Sequence, residues 1–133
     1  MSGLVGQVGA RSGIVGSTTD STQLDYEEGT WTPSVTSGIS GTPNSYAGTY
    51  TKIGNVVSVD FRIGGTGMDV ASYATLGGLP FTEANNKGSG WYILDGISIE
   101  GGQILVTGST WYLGAQGSSG TTTAYRGSFT YFT

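Results

Sequence analysis

The chain has 133 residues, of which 25 are Gly and 11% are charged, and its formal net charge is −4. It contains no Cys and no His, which excludes disulfides, thiolate zinc sites and nucleophile pairs that need His. Five scattered cations argue against nucleic-acid binding, and no apolar run is long enough to span a membrane.

Abundant Gly, Thr, Ser, Val and Tyr, with few helix-forming residues, are typical of short strands joined by tight turns. The sequence therefore predicts an all-β domain, a β-sandwich or jelly roll of about eight short antiparallel strands. We expect residues 25–133 to form this domain and residues 1–24 to form an extended, Gly-rich arm.

The predicted arm carries a small repeat, in which "SGLVG" at Ser2–Gly6 returns as "SGIVG" at Ser12–Gly16. Two apolar pairs bracketed by glycines cannot form a core, and ordering Gly-rich backbone is entropically costly. We expect the arm to dock on another chain, and the alternative is a strand that pairs within its own domain. The residues predicted to make the docking contacts are Leu4, Val5, Arg11, Ile14 and Val15.

The segment "LDYEEGTWTP", Leu24–Pro33, joins the arm to the domain. We predict that Trp31 anchors the first strand in the core and that Pro33 precedes an edge strand. Asp25, Glu27 and Glu28 are a candidate calcium site, because hard cations favour carboxylate oxygens. Their spacing is not that of an EF-hand loop, so we expect ion pairs with Arg11 or with a partner chain, and no cofactor.

Alternation predicts a hairpin with its turn at Ile53–Asn55 and a return strand that begins near Val57. In the return strand one face carries apolar side chains and the other carries Ser58, Asp60 and Arg62. The glycine-rich segments Gly64–Gly67 and Leu76–Phe81 are predicted breaks.

Further strands are expected at Trp91–Leu94, Ile97–Ile99 and Gln103–Gly108, with turns at Asp95–Gly96 and Glu100–Gly102. Two more strands follow, at residues 110–115 and 122–133. The last of them is rich in aromatic residues, and we expect these to be buried in the chain's own sheet. The alternative is burial between subunits.

Two Trp-Tyr pairs are candidates for a receptor-binding or subunit-interface surface, because flat aromatic rings stack on sugars. Neighbouring strand residues point to opposite faces of a sheet, so one ring of each pair should lie in the core and the other should be free. These candidates are Trp91, Tyr92, Trp111 and Tyr112, with Tyr73 as a further member.

Carboxylate pairs that flank a sugar would indicate a glycosidase. The candidate pairs are Asp95 with Glu100 and Asp60 with Asp69. Acids are common in turns for local hydrogen-bonding reasons, and a small domain offers little room for a catalytic cleft. We therefore expect a protein that is not an enzyme.

Three segments in this order, "LDYEEGTWTP" (Leu24–Pro33), "GTYTKIGNVVSVDFRI" (Gly48–Ile63) and "LGGLPF" (Leu76–Phe81), resemble a module of tailed-bacteriophage virion proteins. That module occurs at the ends of tail-fibre-like chains and in short virion proteins. The resemblance implies a virion appendage or surface protein, usually trimeric, with no cofactor and no shared catalytic residues.

The short chain and its arm favour a capsid-decorating (cement) protein on the virion surface, made in the host cytoplasm. It would be a homotrimer whose arm docks on the major capsid protein. The alternative is a tail-fibre or baseplate tip that attaches to a tail protein and binds a glycan receptor on the host. An alternative of another class is a cellular lectin-like domain.

Overall fold

Nine strands form one sheet in the computed structural model, which describes residues 25–84, 88–95, 101–115 and 122–133. Every strand is antiparallel to its neighbours, and the described residues contain no helix. The all-β prediction is confirmed, with nine strands where about eight were expected. The strands are β1 (Tyr26–Trp31), β2 (Ser34–Ser37), β3 (Ser40–Ile53), β4 (Val56–Asp69), β5 (Tyr73–Gly77), β6 (Gly88–Asp95), β7 (Gly101–Thr107), β8 (Thr110–Gly114) and β9 (Thr122–Phe132).

The strand order is β1-β3-β4-β9-β6-β7-β8-β5-β2. Strands β1 and β2 follow each other in sequence, yet they lie at the two ends of this order, which requires the sheet to curl. Trp31 of β1 accordingly meets Trp111 of β8 edge to face, with ring centroids 5.8 Å apart. The curled sheet is consistent with the predicted sandwich or jelly roll. It has an inner face, which encloses the core, and an outer face.

The predicted hairpin is confirmed, and its turn lies between Ile53 of β3 and Val56 of β4. On β4 the apolar side chains face the core, whereas Ser58, Asp60 and Arg62 are exposed. This alternation is the expected period of two. The buried face of β4 includes Val57, Val59, Phe61 and Ile63.

Trp31 joins the first strand to this hairpin, as the sequence predicts. Its side chain is buried, and its indole N–H donates to the main-chain carbonyls of Thr49 at 3.1 Å and Asp60 at 2.9 Å. The prediction that Pro33 precedes an edge strand is also confirmed, because β2 begins at Ser34 and ends the strand order.

Two predicted interruptions are wrong. The segment Gly64–Gly67 does not break the chain, because β4 continues through it to Asp69. The pairing with β9 instead shifts register between Gly64 and Met68, as a bulge does. In the predicted turn Glu100–Gly102, the last two residues belong to β7. The predicted strand Ile97–Ile99 lies outside the described residues.

The other predicted break, Leu76–Phe81, begins later than expected. Leu76 and Gly77 still belong to β5, and the chain leaves the sheet after them. Phe81 then packs edge to face on Tyr50 of β3, with centroids 5.4 Å apart. The three segments of the phage-type pattern thus contact one another in the fold.

Strand β9 lies in the middle of the sheet, between β4 and β6. Three of its four aromatic side chains, Tyr125, Phe129 and Tyr131, are buried and Phe132 is half-buried, which confirms burial within the chain's own sheet for those three. No helix of the described ranges has the length and apolarity needed to cross a membrane.

Candidate functional site

The two Trp-Tyr pairs alternate across the sheet as expected. Trp91 on β6 is 67% exposed, whereas the next residue, Tyr92, is 1% exposed. On β8 the order is reversed, because Trp111 is fully buried and Tyr112 is half-buried. Trp91 and Tyr112 are therefore the members that reach the outer face, and Tyr92 and Trp111 belong to the core.

Strand register brings the outward rings to one place. Tyr112 lies opposite Leu105 of β7, which lies opposite Ser89 of β6. In the adjacent row Trp91 lies opposite Gln103. Residues that lie opposite each other in antiparallel strands share a face, so all five side chains are on the outer face.

These side chains line a groove of about 850 Å³. Tyr73 of β5 completes it and meets Tyr112 edge to face, with ring centroids 6.2 Å apart. Four apolar or aromatic side chains thus line the same groove as the polar side chain of Gln103. We call this site the outer groove, and its lining includes Tyr73, Trp91, Gln103, Leu105 and Tyr112.

Sequence reasoning did not single out Gln103 and Leu105. A signal was present in "QILVTG", where Ile104 and Val106 are buried and Leu105 is 54% exposed. Leu105 therefore lies on the polar face of its strand, beside Gln103 and Thr107. Together with the exposed rings that line the same groove, Leu105 forms an apolar patch of the kind that interaction sites carry.

The buried members of the two pairs, Tyr92 and Trp111, form hydrogen bonds on the core side of the strands that carry the groove. The Tyr92 hydroxyl donates to the carbonyl of Gly114, and the Trp111 indole N–H donates to the carbonyl of Gly77 at 3.0 Å. Burial raises the pKa of Tyr92 to about 12. These bonds connect the core to β8 and β5, and they fix the strands that carry Tyr112 and Tyr73.

Two arginines lie on the same outer face, beyond β6. Arg62 of β4 is directly opposite Arg126 of β9, and Arg126 is directly opposite Ile93 of β6. A second cavity, of about 580 Å³, is lined by both arginines together with Asp60 and Tyr46. Arg126 forms an ion pair with Asp95.

The acidic residues at the start of β1 have separate partners. Asp25, just before β1, forms an ion pair with Lys52, a partner that the sequence analysis did not name, and Arg11 lies outside the described residues. Glu27 accepts a hydrogen bond from the Tyr50 hydroxyl at 2.7 Å, and this bond raises the pKa of Tyr50. Glu28 accepts one from Tyr26 at 2.6 Å. Within the described ranges, no three acidic side chains are grouped closely enough to hold a metal ion.

Asp60 and Asp69 are too far apart to form the carboxylate pair of a glycosidase. Asp60 accepts hydrogen bonds from the amide of Thr49 at 2.9 Å and its hydroxyl at 2.7 Å. Asp69 lies nine residues further along β4, which at ~3.3 Å per residue is roughly 30 Å of strand. Glycosidase carboxylates lie within about 10 Å of each other. Asp95 is paired with Arg126, and Glu100 lies outside the described residues.

The predicted docking residues of the arm also lie outside the described residues. They are Leu4, Val5, Arg11, Ile14 and Val15.

Comparisons of the chain with protein-family models, curated proteins and solved structures found no match. The geometry of the outer groove is therefore the observation from which a function can be argued.

Proposed function

We propose that this chain is a non-enzymatic surface protein of a tailed-phage virion whose folded domain binds a saccharide of the host surface in the outer groove. The observation that carries this proposal is the convergence of Trp91, Tyr73 and Tyr112 around Gln103 in one groove. Ligand sites typically combine apolar and aromatic walls with a few polar groups that orient the ligand. A sugar ring offers C–H groups to the aromatic faces and hydroxyls to the amide.

The exposure of Trp91 supports a binding role. Large aromatic side chains contribute more to stability when they are buried, and the buried rings Trp111, Tyr92 and Tyr131 show that this sheet buries them readily. The exposed fractions of Trp91, Tyr73 and Leu105 are 67%, 58% and 54%, and the three side chains line the same groove. A contiguous apolar patch of this kind on the surface of a domain marks an interaction site.

The proposal adopts the tail-tip alternative of the sequence analysis in preference to capsid decoration. Decoration depends on an arm whose contacts, from Leu4 to Val15, lie outside the described residues. All the residues that line the outer groove belong to the described part of the chain. The homotrimer, the partnership with a coat or tail protein and the location on the virion surface remain proposals that rest on the sequence resemblance.

A saccharide array tests the binding role. The full-length chain is labelled and applied to bacterial surface polysaccharides, together with the Trp91→Ala and Tyr26→Ala variants. Tyr26 is a matched control, because it is an exposed aromatic residue at 55% on a strand outside the groove. We expect the wild type and Tyr26→Ala to bind the same saccharides, and Trp91→Ala to lose at least ~90% of the signal, about 1.4 kcal/mol. Binding that survives Trp91→Ala, or a wild type that binds no saccharide, would overturn the proposal.

Immunogold labelling of intact virions tests the location independently. Label at the tail is the expected result. Label over the head would instead support capsid decoration and would assign the arm a coat-protein partner.

A further inference from the structure

The arginine pair and the outer groove are parts of one continuous surface. On β6, Trp91 and Ile93 both face outward. Ser128 of β9 lies opposite Trp91, and Arg126 lies opposite Ile93. Arg62 extends the same row to β4. A ligand that leaves the groove along β6 therefore passes over Ile93 and reaches the two guanidinium groups.

One of these guanidinium groups has no acidic partner in the described part of the chain. Of the three cations there, Lys52 pairs with Asp25 and Arg126 pairs with Asp95. Among the described residues, the Arg62 guanidinium donates only to the Ser45 hydroxyl, at 3.5 Å. Asp60, the nearest acid on its own strand face, keeps its negative charge, but its carboxylate accepts from Thr49 and forms no ion pair with Arg62.

Arg62 lies against the surface of the sheet. Its guanidinium lies over Gly64, where a Cβ atom would come within 2.6 Å of Nη1. Placing Arg62 directly opposite Arg126 is unfavourable, because like charges opposite each other destabilise a sheet. Asp95 forms its ion pair with Arg126, so an anion beside Arg62 would provide the ion pair that Arg62 lacks among the described residues.

We propose that the saccharide bound in the outer groove is an anionic oligosaccharide, whose acidic group binds Arg62 beside Arg126 while a neighbouring sugar stacks on Trp91. This inference rests on the proposed saccharide-binding function and adds the chemical class of the ligand. The planar guanidinium offers two parallel N–H donors to a carboxylate or a phosphate. Ile93 lies two residues, roughly 7 Å, from Trp91 along β6, and Arg62 lies two strands further across, at about 5 Å per strand. An oligosaccharide is long enough to contact both Trp91 and Arg62.

Titration calorimetry with three hexasaccharide probes tests the proposal on the full-length chain. The probes are a neutral glucan, an oligogalacturonate that carries carboxylates, and a phosphorylated glucan. We expect at least one anionic probe to bind roughly tenfold more tightly than the neutral one in dilute salt. The preference should shrink in concentrated salt, because the site is exposed and screened. The probe that binds more tightly identifies the acidic group.

Variants separate this inference from the proposed function. Arg62→Gln should abolish the anion preference and leave binding of the neutral probe unchanged, and Trp91→Ala should weaken all three probes. Lys52→Gln, a cation substitution outside this surface, is the control and should keep the preference. Equal binding of neutral and anionic probes that still depends on Trp91 would overturn the anionic ligand and leave the saccharide site standing. No binding of any probe, together with an empty saccharide array, would overturn both proposals.

Discussion

The indole N–H of Trp31 donates to the main-chain carbonyl of Asp60 at 2.9 Å, across 29 positions of sequence. The carboxylate of the same Asp60 accepts the amide and the hydroxyl of Thr49. Asp60 therefore ties β1 to β4 through its backbone and β3 to β4 through its side chain. This one residue therefore holds β1, β3 and β4 together.

Replacing Trp31 by Phe should destabilise the domain by about 1–3 kcal/mol. The change keeps an aromatic ring in the core but removes the only donor of the side chain, which leaves carbonyl acceptors without a partner. Urea unfolding followed by fluorescence measures the loss. Trp91→Phe is the control, because that side chain is exposed, and it should shift the free energy of unfolding by less than ~0.5 kcal/mol. Equal stability of the two variants would contradict the proposed importance of this hydrogen bond.

Gly48→Ala should be far more damaging than Gly114→Ala. A Cβ atom on Gly48 would lie 2.3 Å from Nε1 of Trp31 and 2.7 Å from the carbonyl of Asp60. Relief of this clash would displace the indole from its acceptors, at a cost of several kcal/mol. At Gly114 the nearest atom would be 3.5 Å away, an ordinary contact. Thermal unfolding of both variants checks the prediction. The prediction is wrong if Gly48→Ala has the same melting temperature as the wild type.

Stability should fall steeply above pH 10. Burial raises the pKa of both Tyr92 and Tyr131 to about 12, from 10.0, and also raises the pKa of Tyr125. Below pH 10 these phenols are protonated in the folded and the unfolded chain, so they add no pH dependence. Between pH 10 and 12 the unfolded chain loses the protons that the folded chain retains, which favours unfolding by roughly 1–2 kcal/mol for each of Tyr92 and Tyr131.

Urea unfolding at intervals from pH 8 to 11.5 measures this dependence. The free energy of unfolding should be level up to about pH 9.5 and then decline. Tyr92→Phe should make the decline less steep, since one titrating group is removed. A curve that stays level to pH 11.5 would show that these hydroxyls are not buried.

Asp25→Asn should cost less than about 1 kcal/mol. The Asp25 side chain is 65% exposed in its ion pair with Lys52, and exposed pairs contribute little because water and salt screen them. Denaturant unfolding in dilute and in concentrated salt measures the change. A loss above ~2 kcal/mol would mean that the acidic segment before β1 is a structural determinant of the domain.

Alternation in the sequence predicts the β3–β4 hairpin and the buried face of β4, because one side of that hairpin is solvated and the other is not. Glycine misled the prediction of strand ends. Gly65 and Gly102 resemble turn residues, yet both lie within strands. A Cβ atom on Gly65 would lie 2.4 Å from the carbonyl of Thr42, and one on Gly102 would lie 2.6 Å from the ring of Tyr92. These glycines make room for neighbours that are distant in sequence, which local patterns do not reveal.

The sequence also predicts only part of the outer groove. Alternation predicts that one ring of each Trp-Tyr pair faces outward, but the order of the two residues does not say which. The answer depends on register with the adjacent strands, which places Trp91 opposite Gln103 and Tyr112 opposite Leu105. The ion pair between Lys52 and Asp25 likewise follows from the pairing of β1 with β3.

The position of β9 has a consequence for synthesis of the protein. β9 is the last of the nine strands to leave the ribosome, yet it lies between β4 and β6 and pairs with both. Until it emerges, β4 and β6 each have one unpaired edge, and their core side chains are exposed to water. The complete sheet therefore forms only after all nine strands have been translated, and the unfinished chain exposes surfaces that are prone to aggregation. Truncation within β9 should leave an aggregating chain, whatever happens to the groove.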